Sequence, residues 1–256
     1  MSSPAAAPSP DVRTFTVGPV QENAHIVRAP GSTRALLIDP GEEPQRLIAA
    51  IEDLGVSVEA ILITHCHFDH IGAVAPLARA TGAPVYCPAI ERPLLSDIMR
   101  WVPYEGFGPY ESYEADHTLS GGERLSLAGL HVEVLFTPGH SPGHLTYAIS
   151  PAARTDSAAG TDEPAGADGA GAADGQTAAT PALLSGDVLF QGSVGRVDLP
   201  GGDWPTLERS IGELLDRFPP ASVVHPGHMG ATTLGRELAT NPFLAELRAV
   251  REPARS

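Results

Sequence analysis

Apolar residues in this chain fall in short blocks separated by Gly, Pro, Asn or acidic residues. The blocks at 12–17, 24–28 and 35–38 read as strands. Residues 43–54 follow Pro40-Gly41 and carry Leu47, Ile48, Ile51 and Leu54 at helical spacing. The block at 58–63 is apolar and rich in β-branched residues, as a buried strand is. Residues 72–80 predict a helix ending at Gly82. Segments 124–127 and 131–136 flank Ala128-Gly129 and predict a hairpin. Short strand-like runs follow at 145–149, 182–185 and 222–224. An amphipathic helix is expected at 207–218, and another at 234–250, interrupted near Pro242. Strands followed by helices, twice over, predict a layered α/β domain.

One stretch breaks the pattern. Residues 155–181 contain nine Ala, five Gly and five acids, and no Val, Ile, Leu, Met or aromatic residue. Such a segment cannot bury enough surface to offset its ordering entropy and is expected to be disordered. Strand-like runs on both sides make it an elongated hairpin loop within one domain spanning 11–250. Residues 1–10, with no basic or apolar region, read as a disordered tail rather than a signal peptide.

Charge then narrows the partners. The 16 cationic residues are all arginine, against 31 acids, for a net charge of −15. That balance disfavours nucleic acid and anionic lipid, both of which need basic surfaces. No apolar run approaches the ~18 residues of a membrane span, and two cysteines make no disulfide framework. A cytoplasmic protein acting on a small molecule is expected, its oligomeric state open.

Candidate chemistry is concentrated in histidines. Three of the ten fall within His65-Cys66-His67-Phe68-Asp69-His70, directly after the strand at 58–63. Chain still extended after a strand puts residues two apart on one side, so His65 and His67 can face one cation together. Asp69 and His70 lie where the chain turns toward the next helix, a direction that suits a second cation nearby. Three further segments repeat one design of apolar strand, tight turn and strong ligand. They end in Pro138-Gly139-His140, Gly186-Asp187 and Pro226-Gly227-His228. A lone His-x-His or Pro-Gly-His is commonly incidental, but four such elements at four strand ends favour a joint metal site. Its seven candidate ligands suit Zn²⁺, Fe or Mn, Asp187 has two oxygens with which to bridge, and positions remain open for water.

Thr64-His65-Cys66-His67-Phe68-Asp69-His70 resembles the signature of the metallo-β-lactamase superfamily, and the three later segments are similar to its later motifs in order. The resemblance covers 15–242 apart from the low-complexity stretch. It implies a four-layer αβ/βα sandwich with two divalent metal ions, zinc foremost, at one edge of the sheets. It further implies that His65, His67 and His140 hold one metal, that Asp69, His70 and His228 hold the other, and that Asp187 bridges. Within the superfamily, His140-Ser141-Pro142-Gly143-His144 and residues 186–203 look most like short bacterial hydroxyacylglutathione hydrolases (glyoxalase II). A thioester of a small thiol is the implied substrate. Full-length members of that group grip glutathione with basic residues of a C-terminal helical region. Only 28 residues follow His228 here, none of them lysine, so the thiol stays open. The alternative is a persulfide dioxygenase, whose single iron would match His65, His140 and Asp187; a third reading is a lactonase or β-lactamase.

Two cations sharing a water bring its pKa toward neutrality. Asp69, besides ligating, is expected to orient that water for attack on a carbonyl. A thiolate leaves without a general acid, so no Ser/His/Asp triad is needed. His144 is expected to hydrogen-bond behind the ligands, whereas His25, His117, His131 and His225 are expected in surface or core roles. Cys66 should point away from the ligands on either side of it, and Cys87 reads as a core thiol. Arg196 is the candidate for binding a substrate carboxylate or, equally, for structuring the loop after Asp187. Five of the 14 aromatic residues lie in 101–113, a substrate-lining flap or a packed surface loop.

Overall fold

The computed structural model describes residues 9–102, 104–152 and 180–251. The expected tail at 1–8 and most of the low-complexity stretch, 155–179, lie outside the described residues. Two six-stranded sheets face each other. The first contains β1 (Asp11–Val17), β2 (Glu22–Arg28), β3 (Arg34–Ile38), β4 (Ser57–Leu62), β5 (Val85–Pro88) and β6 (His117–Leu119), neighbours in that order. The second holds β7 (Arg124–Leu127), β8 (Leu130–Phe136), β9 (Leu145–Pro151) and β10 (Ala182–Gly186). It is completed by β13 (Val223–Pro226) and β14 (Thr232–Thr233), after the ribbon of β11 (Leu189–Phe190) and β12 (Ser193–Val194). Across the second sheet the order is β14-β13-β10-β9-β8-β7.

Strand periodicity sorts the side chains. Leu36 and Ile38 of β3 meet Leu130, Val132, Val134, Tyr147 and Ile149 between the sheets. Their neighbours Ala35 and Leu37 face outward, onto Leu47 and Ile51 of α1 (Pro44–Asp53) and Val74 and Leu77 of α3 (Val74–Thr81). On the other flank, Leu183 and Val224 pack against Leu207, Ile211 and Leu214 of α6 (Trp204–Arg217) and Leu234 of α7 (Leu234–Thr240). Helix, sheet, sheet, helix is the expected four-layer αβ/βα arrangement. β4 is apolar and buried over its second half, Ala60 to Leu62, where it is covered on both faces.

Local chemistry fixes the turns. Ala128 and Gly129 both take positive φ, 53° and 73°, as a tight hairpin turn with matching twist needs. The second amphipathic helix breaks at Pro242 into a 3₁₀ turn, Pro242–Leu244, followed by α8 (Ala245–Arg251). α6 starts three residues earlier than periodicity suggests, because Asp203 caps it by accepting from Thr206 N at 3.0 Å. β6 escapes sequence reading, having three residues, too few to show a period, whereas the strand expected just before Cys87 is β5 and includes that residue.

A candidate metal centre at one edge of the sandwich

The C-terminal ends of β3, β4, β8, β10 and β13 and the N-terminal ends of β2 and β9 meet at one edge. Every loop carrying a candidate ligand leaves from there. The strand ends are joined across the sheets by Tyr147, whose hydroxyl donates to Ile63 O at 2.6 Å, and by Asn23, whose amide nitrogen donates to Met229 O at 2.8 Å and Pro226 O at 3.1 Å.

Three imidazole nitrogens converge first. His67 Nδ1 lies 3.1 Å from His65 Nε2 and 2.9 Å from His140 Nε2. At most one proton, on His67 Nδ1, serves the two contacts, as the other ring atoms show. The Thr64 hydroxyl donates to Asp39 Oδ2 at 2.6 Å, so at 3.1 Å from His65 Nδ1 it can only accept. His140 Nδ1 donates to Arg196 O at 2.7 Å. Both Nε2 atoms therefore present bare lone pairs toward one point. Burial, and then neighbouring imidazoles, hold His65 well below the usual histidine range and bring His67 down to about 4. These rings are neutral, as metal ligands must be.

A second group adjoins it. Asp69, His70 and His228 bring ligand atoms together, with His228 Nε2 3.3 Å from Asp69 Oδ2. His70 Nδ1 donates to Asp39 Oδ2 at 3.1 Å, and His228 Nδ1 donates to Gln21 O at 3.2 Å, leaving each Nε2 free. Asp187 lies between the groups: Oδ1 is 3.4 Å from His70 Nε2, and Oδ2 is 3.5 Å from His140 Nε2 and 3.6 Å from His228 Nε2. All seven residues picked from sequence are thus brought together.

The donor set fits divalent cations. His70 Nε2 and Asp187 Oδ1 are buried without a hydrogen-bond partner, an expensive condition that a cation would relieve. Room is kept for one: a Cβ on Gly227 would lie 2.4 Å from Asp187 Oδ1 and 2.6 Å from His70 Cε1.

Other residues orient the set. His144 is buried, donates through Nδ1 to Thr137 Oγ1 at 3.2 Å and accepts at Nε2 from Asp187 N at 3.0 Å. Three contributors escaped sequence reading. Asp39 accepts from Thr64 N at 2.7 Å as well as from the Thr64 hydroxyl and His70. It ends a strand before Pro40-Gly41, a signal of the same design as the other ligand turns. Asn23 and Glu91 carry no comparable motif. Glu91, buried, accepts from Cys66 N at 2.6 Å, Gly143 N at 2.8 Å and the Ser141 hydroxyl. It thereby ties the His65–His67 turn to the loop after His140. Cys66 turns away from the ligands, its sulfur 3.4 Å from that of Cys87.

A cavity of about 620 Å³ opens over Asp69, His140, Asp187 and His228. One wall is aromatic: Phe68 touches Phe107 at 5.0 Å and Tyr104 at 6.3 Å between centroids, and Trp101 completes it. The segment 101–113 is thus divided, since Tyr110 and Tyr113 pack on the core instead. Arg196 also lines the cavity, but its guanidinium pairs with both Asp198 oxygens at 2.6 and 2.7 Å. Loop structuring is the role its contacts show.

Fold and donor set together define a class: the chain belongs to the metallo-beta-lactamase superfamily, whose family model matches residues 17–151. Among curated relatives, it is 35% identical to the probable metallo-hydrolase YqgX of Bacillus subtilis, over 91% of this chain and 96% of that protein. It is 30% identical to the hydroxyacylglutathione hydrolase GloC of Haemophilus influenzae, over 91% of this chain and 98% of that one. Two crystal structures are similar. BLEG-1, a B3 metallo-beta-lactamase, is 32% identical with a TM-score of 0.75, covering 92% of this chain and all of its own. TTHA1623 in a di-iron-bound form is 40% identical with a TM-score of 0.63, covering 91% and all of its own. Among the described residues no helix is long and apolar enough to cross a membrane.

Proposed function

We propose that this chain is a dinuclear metal-dependent hydrolase that cleaves thioesters of a small thiol. The observation that carries the reading is the pair of donor groups sharing Asp187 at the floor of an open cavity. His65, His67 and His140 would hold one divalent cation, and Asp69, His70 and His228 the other, with Asp187 bridging. Such ions, zinc or iron by the chemistry of the donors, supply acidity to water and polarise a carbonyl.

The chain's own groups do the rest. Asp69 lines the cavity, one oxygen 3.3 Å from His228 Nε2, and is a carboxylate at neutral pH. It can therefore accept a proton or hydrogen bond from an attacking water and aim it at the thioester carbonyl. His144 keeps Asp187 in place through the Asp187 backbone N–H. The departing thiolate is stable near neutral pH and needs no acid from the protein (a free thiol has a pKa of about 8.5).

GloC's name supports thioester chemistry at 30% identity over nearly its full length. A single-iron persulfide dioxygenase would use His65, His140 and Asp187 and leave the Asp69, His70 and His228 group without a task. Metal content measured beside thiol release from thioesters tests the proposal. Two ions per chain with thiol release, both lost in Asp187→Ala, are expected. Full occupancy without thiol release from any thioester refutes the function, and an active, metal-replete Asp187→Ala refutes the site.

A further inference from the structure

We infer that the site selects a thioester of an uncharged, apolar thiol over one of a carboxylate-bearing peptide thiol such as glutathione; this rests on the hydrolase reading above. The distal walls of the cavity carry the inference. They present Trp101, Tyr104 and Phe107, with Phe68 beside Asp69 and Phe190 against His228 nearer the donor groups. Trp101 and Tyr104 keep 50% and 45% of their surface exposed, large apolar faces left open at this site.

Charge recognition is blocked. Among the described residues the one arginine lining the cavity is Arg196, and Asp198 occupies two of its nitrogens at 2.6 and 2.7 Å. The Tyr104 hydroxyl accepts from a third at 3.4 Å. A guanidinium pairs with a carboxylate through this same fork, and Asp198 also cancels the Arg196 charge, so a substrate carboxylate meets an ion pair rather than a free cation. Lysine is absent from the whole chain. Glutathione brings two carboxylates, and desolvating them against aromatic walls that offer no unpaired arginine among the described residues is unfavourable. An alkyl or aryl thiol group meets those walls with apolar surface, which is favourable.

The test compares two thioesters with one acyl group, S-lactoylglutathione and the lactoyl thioester of benzyl mercaptan, on the metal-loaded full chain. The benzyl ester is expected to show a kcat/KM at least about tenfold higher, carried mainly by KM. Equal values, or a preference for S-lactoylglutathione, overturn the inference while leaving the hydrolase standing. Calorimetric titration with the unreactive thioethers benzyl propyl sulfide and S-propylglutathione reads the pocket without turnover. Tighter binding of the benzyl compound supports the inference, and tighter binding of the glutathione compound overturns it, even where neither ester is cleaved and the hydrolase reading itself has failed. Asp198→Asn frees the Arg196 fork. It is expected to move the ratio of the two kcat/KM values toward S-lactoylglutathione by about threefold or more, and an unmoved ratio overturns the blocking role given to that ion pair.

Discussion

Replacing Glu91 by glutamine keeps the shape of the side chain and changes one atom of its acceptor pair. In the native protein Oε1 accepts from Gly143 N and the Ser141 hydroxyl, and Oε2 accepts from Cys66 N at 2.6 Å. The amide of Glu91→Gln has one oxygen. With that oxygen in the Oε1 position, its NH₂ confronts the Cys66 N–H, donor against donor; with the amide flipped, two donors are stranded instead. A buried donor left unsatisfied costs about 1–3 kcal/mol, and a repulsive contact adds to it, so a loss of about 2–3 kcal/mol is expected. Urea unfolding of the metal-free protein measures this as a midpoint lowered by about 1 M, for a slope near 2–3 kcal/mol/M. Cys66 lies between His65 and His67, so metal retention through dialysis should fall as well. A Glu91→Gln protein within about 0.5 kcal/mol of wild type, holding its full metal complement, would show that Glu91 does not tie the two loops together.

Two further outcomes follow from the geometry. Gly227→Ala sets a methyl group 2.4 Å from Asp187 Oδ1; metal affinity should fall tenfold or more, the scale seen when outer-shell partners are lost, and unchanged affinity by competition with a chelator would contradict this. His25 is buried, and burial followed by the His225 charge lowers its pKa to about 3. Its folded-state pKa lies below the unfolded value of about 6.5, so the unfolded chain binds the extra proton. The resulting stability is complete above pH ~6.5 and is lost as pH falls toward 3. His25→Gln should flatten the stability slope between pH 5 and 6 by about 1 kcal/mol per pH unit; an equal slope in both proteins would contradict it.

The fold was legible wherever burial marks the sequence. Ala35 to Ile38 form an unbroken apolar run because two different cores claim the two faces of β3. The hairpin was legible from Ala128-Gly129, and the juxtaposition of the seven site residues from turns that follow apolar strands. What escaped was set by partners distant in the chain. Asn23 spans more than 200 positions to reach Pro226 and Met229, and nothing in Glu22-Asn23 announces it. Glu91 follows a four-residue strand and is meaningful only once the His65 and His140 loops lie side by side. The two open readings of Arg196 and of the aromatic segment differ only in side-chain contacts, and Asp198 and Phe68 supply those contacts.

β9 and β10 run antiparallel, with Ile149 opposite Ala182. His144 precedes the start of β9 and Asp187 follows the end of β10, so the chain leaves β9 after Pro151 and re-enters at Ala182 on the far side of the sheet. At about 3.3 Å per residue, some 20 Å of paired strand separates that junction from the donor groups. Sequence can be inserted, trimmed or labelled between these strands without pulling on a single ligand. The chain carries its longest run of unconstrained composition, 155–181, at that junction. It is a site where length can drift over evolutionary time, and where an affinity tag or fluorophore can be placed, while the chemistry at the opposite edge is left alone.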